Sequence, residues 1–294
     1  VDLVDRAVRV EADGKLRPID STVVQFFLLT YAITWVCSAI GLSGTASSSR
    51  LFSMSRTLLL LVGSLAPSVA AFGLTAWEDG ISGLRSLLGH LLDWQVSVRW
   101  YFFAVFYAVS ILLIPDAAHR VIAGTWLPLS HLRWIAIISS TALYLPIRAS
   151  EEIGWRGYAI PLLAKKFGLG RASLILGPIW AGWHLPLFFI PGARVYAQSI
   201  PVYVLEVTAL SVAFAWLYGN TNGSLLPVIV MHSALDEALA FLPSPGIASN
   251  PLDFNGELIV WLIVAVAWLM AAWFLVRMPQ LPSHETEPLV VVQH

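Results

Sequence analysis

Long apolar runs, broken by short polar stretches, fill the chain from Val23 to Val276. A membrane-crossing helix needs roughly 20 mostly apolar residues. Eight stretches approach or meet that length: 23–42, 57–77, 100–121, 132–149, 172–190, 201–218, 225–242 and 258–276. The pattern predicts an all-α polytopic transmembrane bundle of about eight spans, with the fourth running on through an acidic stretch toward Tyr158. Between the second and third spans, "DGISGLRSLLGHLLDWQVSVRWY" places Leu84, Leu87, Leu88, Leu91 and Leu92 at helical spacing. Such a stretch reads as a short helix lying in the membrane interface. No repeat or linker divides the apolar region, so one bundle is expected over 21–277, with a polar arm at 1–20 and a Pro-containing tail at 278–294.

Composition agrees with a membrane protein. Hydrophobic residues make up 57% and charged residues 12%, with a mean hydropathy of +0.75, where a soluble domain carries about 25% charge. The net charge of −1 gives no basic footprint for nucleic acid. The single cysteine, Cys37, lies in an apolar run and reads as a packing residue. With the N-terminus inside, twelve of the Lys and Arg residues fall on the inner side and five on the outer. The positive-inside rule then puts both termini in the cytoplasm.

Ionisable groups inside spans are costly and mark function by default. Glu151, Glu152 and Arg156 end the fourth span in "SEEIGWRG", His184 lies deep in the fifth in "WAGWHLPLF", and His232, Asp236 and Glu237 lie in the seventh in "VMHSALDEAL". Glu152 and Arg156 stand at i and i+4 and pair on one helix face. Glu151 is turned about 100° from Glu152 and points elsewhere. His232 and Asp236, and Trp180 and His184, repeat the i, i+4 spacing. Helix rise puts His184 roughly 18 Å, His232 roughly 12 Å and Glu151 roughly 10 Å from the inner face. At those depths a carboxylate and two imidazoles can meet in one polar pocket. Glu206 has no partner at helical spacing and stays outside the set. Asn220 and Asn222 read as a tight turn, and His90, His119 and His131 as surface groups near span ends.

Three short signatures now stand in order: "EEIGWR" as Glu-Glu-x-x-x-Arg, "WAGWH" as aromatic-x-x-x-His, and "HSALD" as His-x-x-x-Asn/Asp. Together they resemble the CPBP (Abi) intramembrane endopeptidases, which include type II CAAX prenyl endopeptidases and bacteriocin-processing proteins. The resemblance covers about 132–242. It implies a bundle around a cavity open to the cytoplasm, in a bacterial cytoplasmic membrane. It also implies catalytic Glu151, His184, His232 and Asp236, with Glu152, Arg156 and Trp180 in support. Glu151 is the implied base, His184 shares its water, and His232 with residue 236 steadies the oxyanion. Several family members carry Asn where this chain has Asp236; an amide donates, whereas a carboxylate only accepts. Asp236 is therefore expected to orient His232.

Glu151, His184 and His232 also form a possible zinc ligand set with an open position, although no HExxH pattern is present. The implied partners are membrane lipids and a peptide or protein substrate, including a lipid-anchored one. Two other functions fit intramembrane Glu, His and Asp: a proton-coupled transporter, and a catalytically silent scaffold that binds another membrane protein.

Overall fold

The structure is a computed structural model that describes residues 19–43, 50–126, 134–191, 193–196, 198–240, 251–254 and 256–281. The expected polar arm, apart from its last two residues, and the tail beyond 281 lie outside the described residues, as does His131. Every regular element described is a helix. In order they are α1 (Ile19–Ser43), α2 (Arg50–Ser64), α3 (Ala66–Leu92), α4 (Arg99–Ala123), α5 (Trp134–Gly154), α6 (Ile160–Phe167), α7 (Leu169–Trp183), α8 (Ile200–Asn220), α9 (Leu226–Ala240) and α10 (Leu258–Val276). A wide π turn, Trp155–Ala159, joins α5 to α6, and a 3-10 turn, Leu185–Phe189, follows α7.

Five helices are long and apolar enough to cross a membrane: Ser21–Leu42, Arg99–Ala123, Leu169–Phe189, Ile200–Asn220 and Leu258–Val276. A sixth span arises if the bent pair Met54–Ser64 and Ala66–Leu92 counts as one. The eight expected spans are therefore five or six by length and composition among the described residues. The fourth and seventh stretches are helices, α5 and α9, that do not reach the span criterion among the described residues. The end of α5 carries Arg148, Glu151 and Glu152, and α9 has 15 described residues with His232, Asp236 and Glu237 among them. In α5 these polar groups dilute the apolar window, whereas the described part of α9 is shorter than a span.

The second expected span, 57–77, is broken. Pro67 sits in the first turn of α3, lacks an N–H and cannot continue the preceding helix, and the axis turns by 45° there. A further break falls at Gly80, with φ 60° and ψ −149°, a region open in practice only to glycine. It separates the span from the expected interfacial helix, which forms the second arm of α3. Leu87 of that arm is buried, while Leu88 and Leu92 are exposed to the surroundings.

Helix α8 is the centre of the bundle. Its apolar window is 78% buried, against 33% for α10, so α10 faces outward while α8 is enclosed. Helices α7 and α10 pack on α8, α4 and α5 pack on α9, and α3 packs on α5. With little hydrophobic drive between helices in lipid, small residues and hydrogen bonds hold such contacts. Ser211 Oγ donates to the Ser173 carbonyl (2.9 Å), joining α8 to α7. Ser233 Oγ donates to the Thr141 carbonyl (2.7 Å), joining α9 to α5. Trp183 Nε1 donates to Thr34 Oγ1 (2.7 Å), joining α7 to α1.

Helix α7 comes close to α8 at Gly177, where an added Cβ would lie 2.6 Å from Thr208 Cα. Backbone cannot yield as a side-chain tip can. Gly177→Ala is expected to destabilise the protein by about 1–3 kcal/mol. A thermal melt in detergent checks this, and an unchanged midpoint would contradict so tight an interface.

Candidate active site

Four charged groups come from nine consecutive positions, Arg148 to Arg156. Glu152 is fully buried on the inner face of α5. Arg156 follows one turn later in the π turn, also with no exposure, and its Nη1 donates to Glu152 Oε1 at 2.9 Å. A buried ion pair repays desolvation only when further partners satisfy it. Here Arg156 Cζ lies 4.1 Å from the Trp180 ring centroid and 4.6 Å from that of Phe214, so the two aromatic faces take the cation. π turns within helices recur at functional positions, and this one directly follows the paired acids.

Glu152 also receives the second helix. His232 of α9 donates from Nδ1 to Glu152 Oε1 at 2.7 Å, because a carboxylate oxygen only accepts. That bond sets the ring orientation. Nε2 then faces two other acids, Glu151 Oε2 at 3.9 Å and Asp236 Oδ2 at 3.8 Å. Trp180 and Phe214 wall the ring, with centroids 5.3 and 5.4 Å away.

Glu151 points away from Glu152, into a cavity. Its Oε1 accepts from Arg148 Nη1 at 2.6 Å. Its buried Oε2 has no hydrogen-bond partner among the described residues. Arg148 reaches on to α9, where Nη2 lies 2.7 Å from Asp236 Oδ2. The residue at 236 thus holds an arginine at ion-pair distance and His232 at 3.8 Å.

His184 is placed by the end of α7. Pro186 follows two residues later and turns the chain into 3-10 geometry. The backbone N–H of His184 bonds to the Ala181 carbonyl at 3.1 Å. The Trp180 carbonyl is left to accept from His184 Nδ1 at 2.9 Å. With Nδ1–H so used, Nε2 carries the free lone pair. Trp183 and Tyr203 bracket the ring, at 4.6 and 5.8 Å between centroids.

Glu151, His184, His232, Asp236 and Trp180 all line one cavity of about 270 Å³, with Arg148 at its wall. That volume is near the lower bound for ligand pockets and suits a short extended segment rather than a folded chain. Glu152 and Arg156 stand behind the wall, joined to it by the bond from His232 to Glu152. Sequence reasoning missed three cavity groups. Arg148 enters the sequence reading only as one of the twelve inner-side cations, although its i, i+3 spacing to Glu151 is readable. Glu206, 8% exposed on α8, and Arg194 also line the cavity. An intramembrane carboxylate was itself the signal for Glu206. Glu237 lines the cavity beside Asp236. Asn220 bonds to the Trp216 carbonyl (2.8 Å) and Asn222 has φ 52°, as a turn requires.

The zinc ligand set can be tested against this geometry. A zinc site gathers its donors at about 2.0–2.3 Å from the ion. Among the described residues no three His, Cys, Asp or Glu groups are so gathered. Of the expected donors, Glu151 Oε1 is engaged by Arg148, while Glu151 Oε2, His184 Nε2 and His232 Nε2 stay open, each imidazole being held through Nδ1 as metal-binding histidines are. The residue types fit a zinc ligand set, and the Arg148 charge beside them, between Glu151 and Asp236, disfavours a further cation.

Comparison with known proteins follows the same residues. Residues 130–237 match the family model described as Type II CAAX prenyl endopeptidase Rce1-like. CAAX prenyl protease 2 of Methanococcus maripaludis is 22% identical over 220 residues, covering 70% of this chain and 80% of that protein. The matched family segment contains Glu151, Glu152, Arg156, Trp180, His184, His232 and Asp236. With the three ordered motifs and a bundle of membrane-length helices, these matches make residues 130–237 an Rce1-like segment, similar to type II CAAX prenyl endopeptidases, within an integral membrane protein.

Proposed function

We propose that the protein hydrolyses peptide bonds of membrane-associated substrates with a water activated by Glu151 and His184. The observation that supports this most is the buried, open Oε2 of Glu151 on a cavity wall shared with His184 and His232. A buried acceptor left open in a built polar site calls for a ligand or water. Glu151 is the base, and His184 Nε2 holds or relays the water proton. The water oxygen bonds to the scissile carbonyl carbon, the C–N bond breaks, and the proton taken by Glu151 passes to the departing amine. His232, oriented by Glu152 and through it by Arg156, presents Nε2 to the developing oxyanion. When the ring carries two protons that nitrogen is a donor.

The substrate class follows by analogy with the methanogen relative named as a CAAX prenyl protease. A lipid-anchored C-terminal peptide fits a cavity reached within the membrane, so C-terminal and juxtamembrane peptides are the substrates to try. In that assay, purified protein in detergent is expected to cleave at least one peptide. His184→Ala should lower the rate by about 10²–10³-fold. Trp77→Ala, at an 82% exposed position on α3, should leave it unchanged. Cleavage that survives His184→Ala would defeat the proposal, whereas substrate uptake into proteoliposomes without cleavage would favour a transporter. Because Arg148 already supplies a cation between Glu151 and Asp236, activity is expected to persist in a strong zinc chelator. Loss on chelation with recovery on adding zinc would show that the donors regroup around a metal.

A further inference from the structure

Arg148 has no part in the three motifs, yet it makes two of the shortest polar contacts in the site. We propose that Arg148 is a catalytic residue that donates to the oxyanion, with Asp236 as its positioning partner, the two together replacing an amide at 236. The proposal rests on the hydrolase reading above and names a further group for the same step.

Three observations carry it. First, Arg148 bridges Glu151 Oε1 (2.6 Å) and Asp236 Oδ2 (2.7 Å) and lies on the cavity wall. A water on Glu151 attacks a carbonyl carbon at about 3–3.5 Å. The carbonyl oxygen must then come close to the cation already touching Glu151. Secondly, donors remain. A guanidinium has five N–H groups in a planar fork, and each Nη keeps one beyond its carboxylate bond. Thirdly, the charges need a fixed cation at this place. His232 Nε2 sits 3.9 Å from Glu151 and 3.8 Å from Asp236, so an oxyanion forming there meets two carboxylates. Arg156 cannot reach it, being fully buried against Glu152, Trp180 and Phe214. Arg194 lines the cavity from the exposed segment after α7. Arg148 is held on both sides by acids from two helices, which is the preorganisation that oxyanion donors require.

The test uses a peptide that the wild-type protein cleaves. Arg148→Ala is expected to lower kcat by about 10²–10³-fold, with KM changed less than about threefold. Adding Asp236→Asn to Arg148→Ala should recover at least about tenfold in kcat over the single variant, since an amide donates and the unpaired carboxylate is gone. Millimolar methylguanidinium should raise the rate of Arg148→Ala and leave the wild-type rate unchanged. A merely structural arginine would not respond to a soluble guanidinium in kcat. Should Arg148→Ala fail to fold, Arg148→Lys carries the test. It keeps charge without the fork, and a fall in kcat at an unchanged thermal midpoint is expected. Wild-type kcat in either variant would overturn the proposal, as would a loss that neither Asp236→Asn nor methylguanidinium restores. If Glu151→Gln stops cleavage while Arg148→Ala does not, only this inference fails. If the wild-type protein cleaves nothing, the hydrolase reading fails and this one with it.

Discussion

Glu151→Gln is expected to reduce peptide cleavage by about 10³-fold, within the range of a lost general base, while the protein stays folded. The substitution keeps the shape of the side chain. Its amide oxygen can still accept from Arg148, which also retains Asp236 at 2.7 Å. Nothing in the packing of α5 on α9 depends on the carboxylate charge alone, since Ser233 still bonds to the Thr141 carbonyl. What disappears is the open acceptor at Oε2, the atom that would take the water proton. Cleavage rate and thermal midpoint, measured on one preparation, separate the two effects. A variant within tenfold of the wild-type rate would remove Glu151 from the chemistry.

Arg156→Met is expected to cost about 3–5 kcal/mol of stability, because removing one partner of a buried pair strands the other charge. Glu152 has no exposure, so water cannot replace the lost guanidinium. The cation also leaves its place between the Trp180 and Phe214 rings. Glu152 in turn holds His232 at 2.7 Å, so activity falls along with stability. Arg85→Met, at an exposed position on α3, should change stability by less than about 0.5 kcal/mol. Denaturant titration of both variants in the same micelle decides the matter. A cost below about 1 kcal/mol for Arg156→Met would mean that the pair contributes little, as exposed pairs do.

Some of this was readable along the chain because it repeats at short range. The runs that became α1, α4, α7, α8 and α10 are long and apolar, and bilayer thickness imposes that length. Glu152 and Arg156 announce their contact by a spacing of four. The divergence of Glu151 from Glu152 follows from helix geometry. Contacts between helices leave no such trace. Glu152 to His232 and Arg148 to Asp236 span 80 and 88 positions, and only the packing of α5 on α9 creates them. Arg148 and Arg156 were counted among the twelve inner-side cations. Both lie in the helical core of the site, Arg156 with no exposure and the Arg148 side chain at 20%, which leaves ten of the twelve. Hydropathy marks the stretches without their breaks. It could not weigh the bend at Pro67, nor the charges that shorten the apolar part of α5.

The way α5 carries its charges bears on how the chain enters the bilayer. Arg148 with Glu151, and Glu152 with Arg156, are couples made within one stretch of backbone. That stretch can leave the translocation machinery with each acid already beside its own counter-ion, which lowers the penalty of exposing bare charge to lipid. Helix α9, synthesised about 70 residues later at about 5–20 residues per second, then arrives seconds afterwards. It has only to add His232 and Asp236 to an assembly that is already electrically settled.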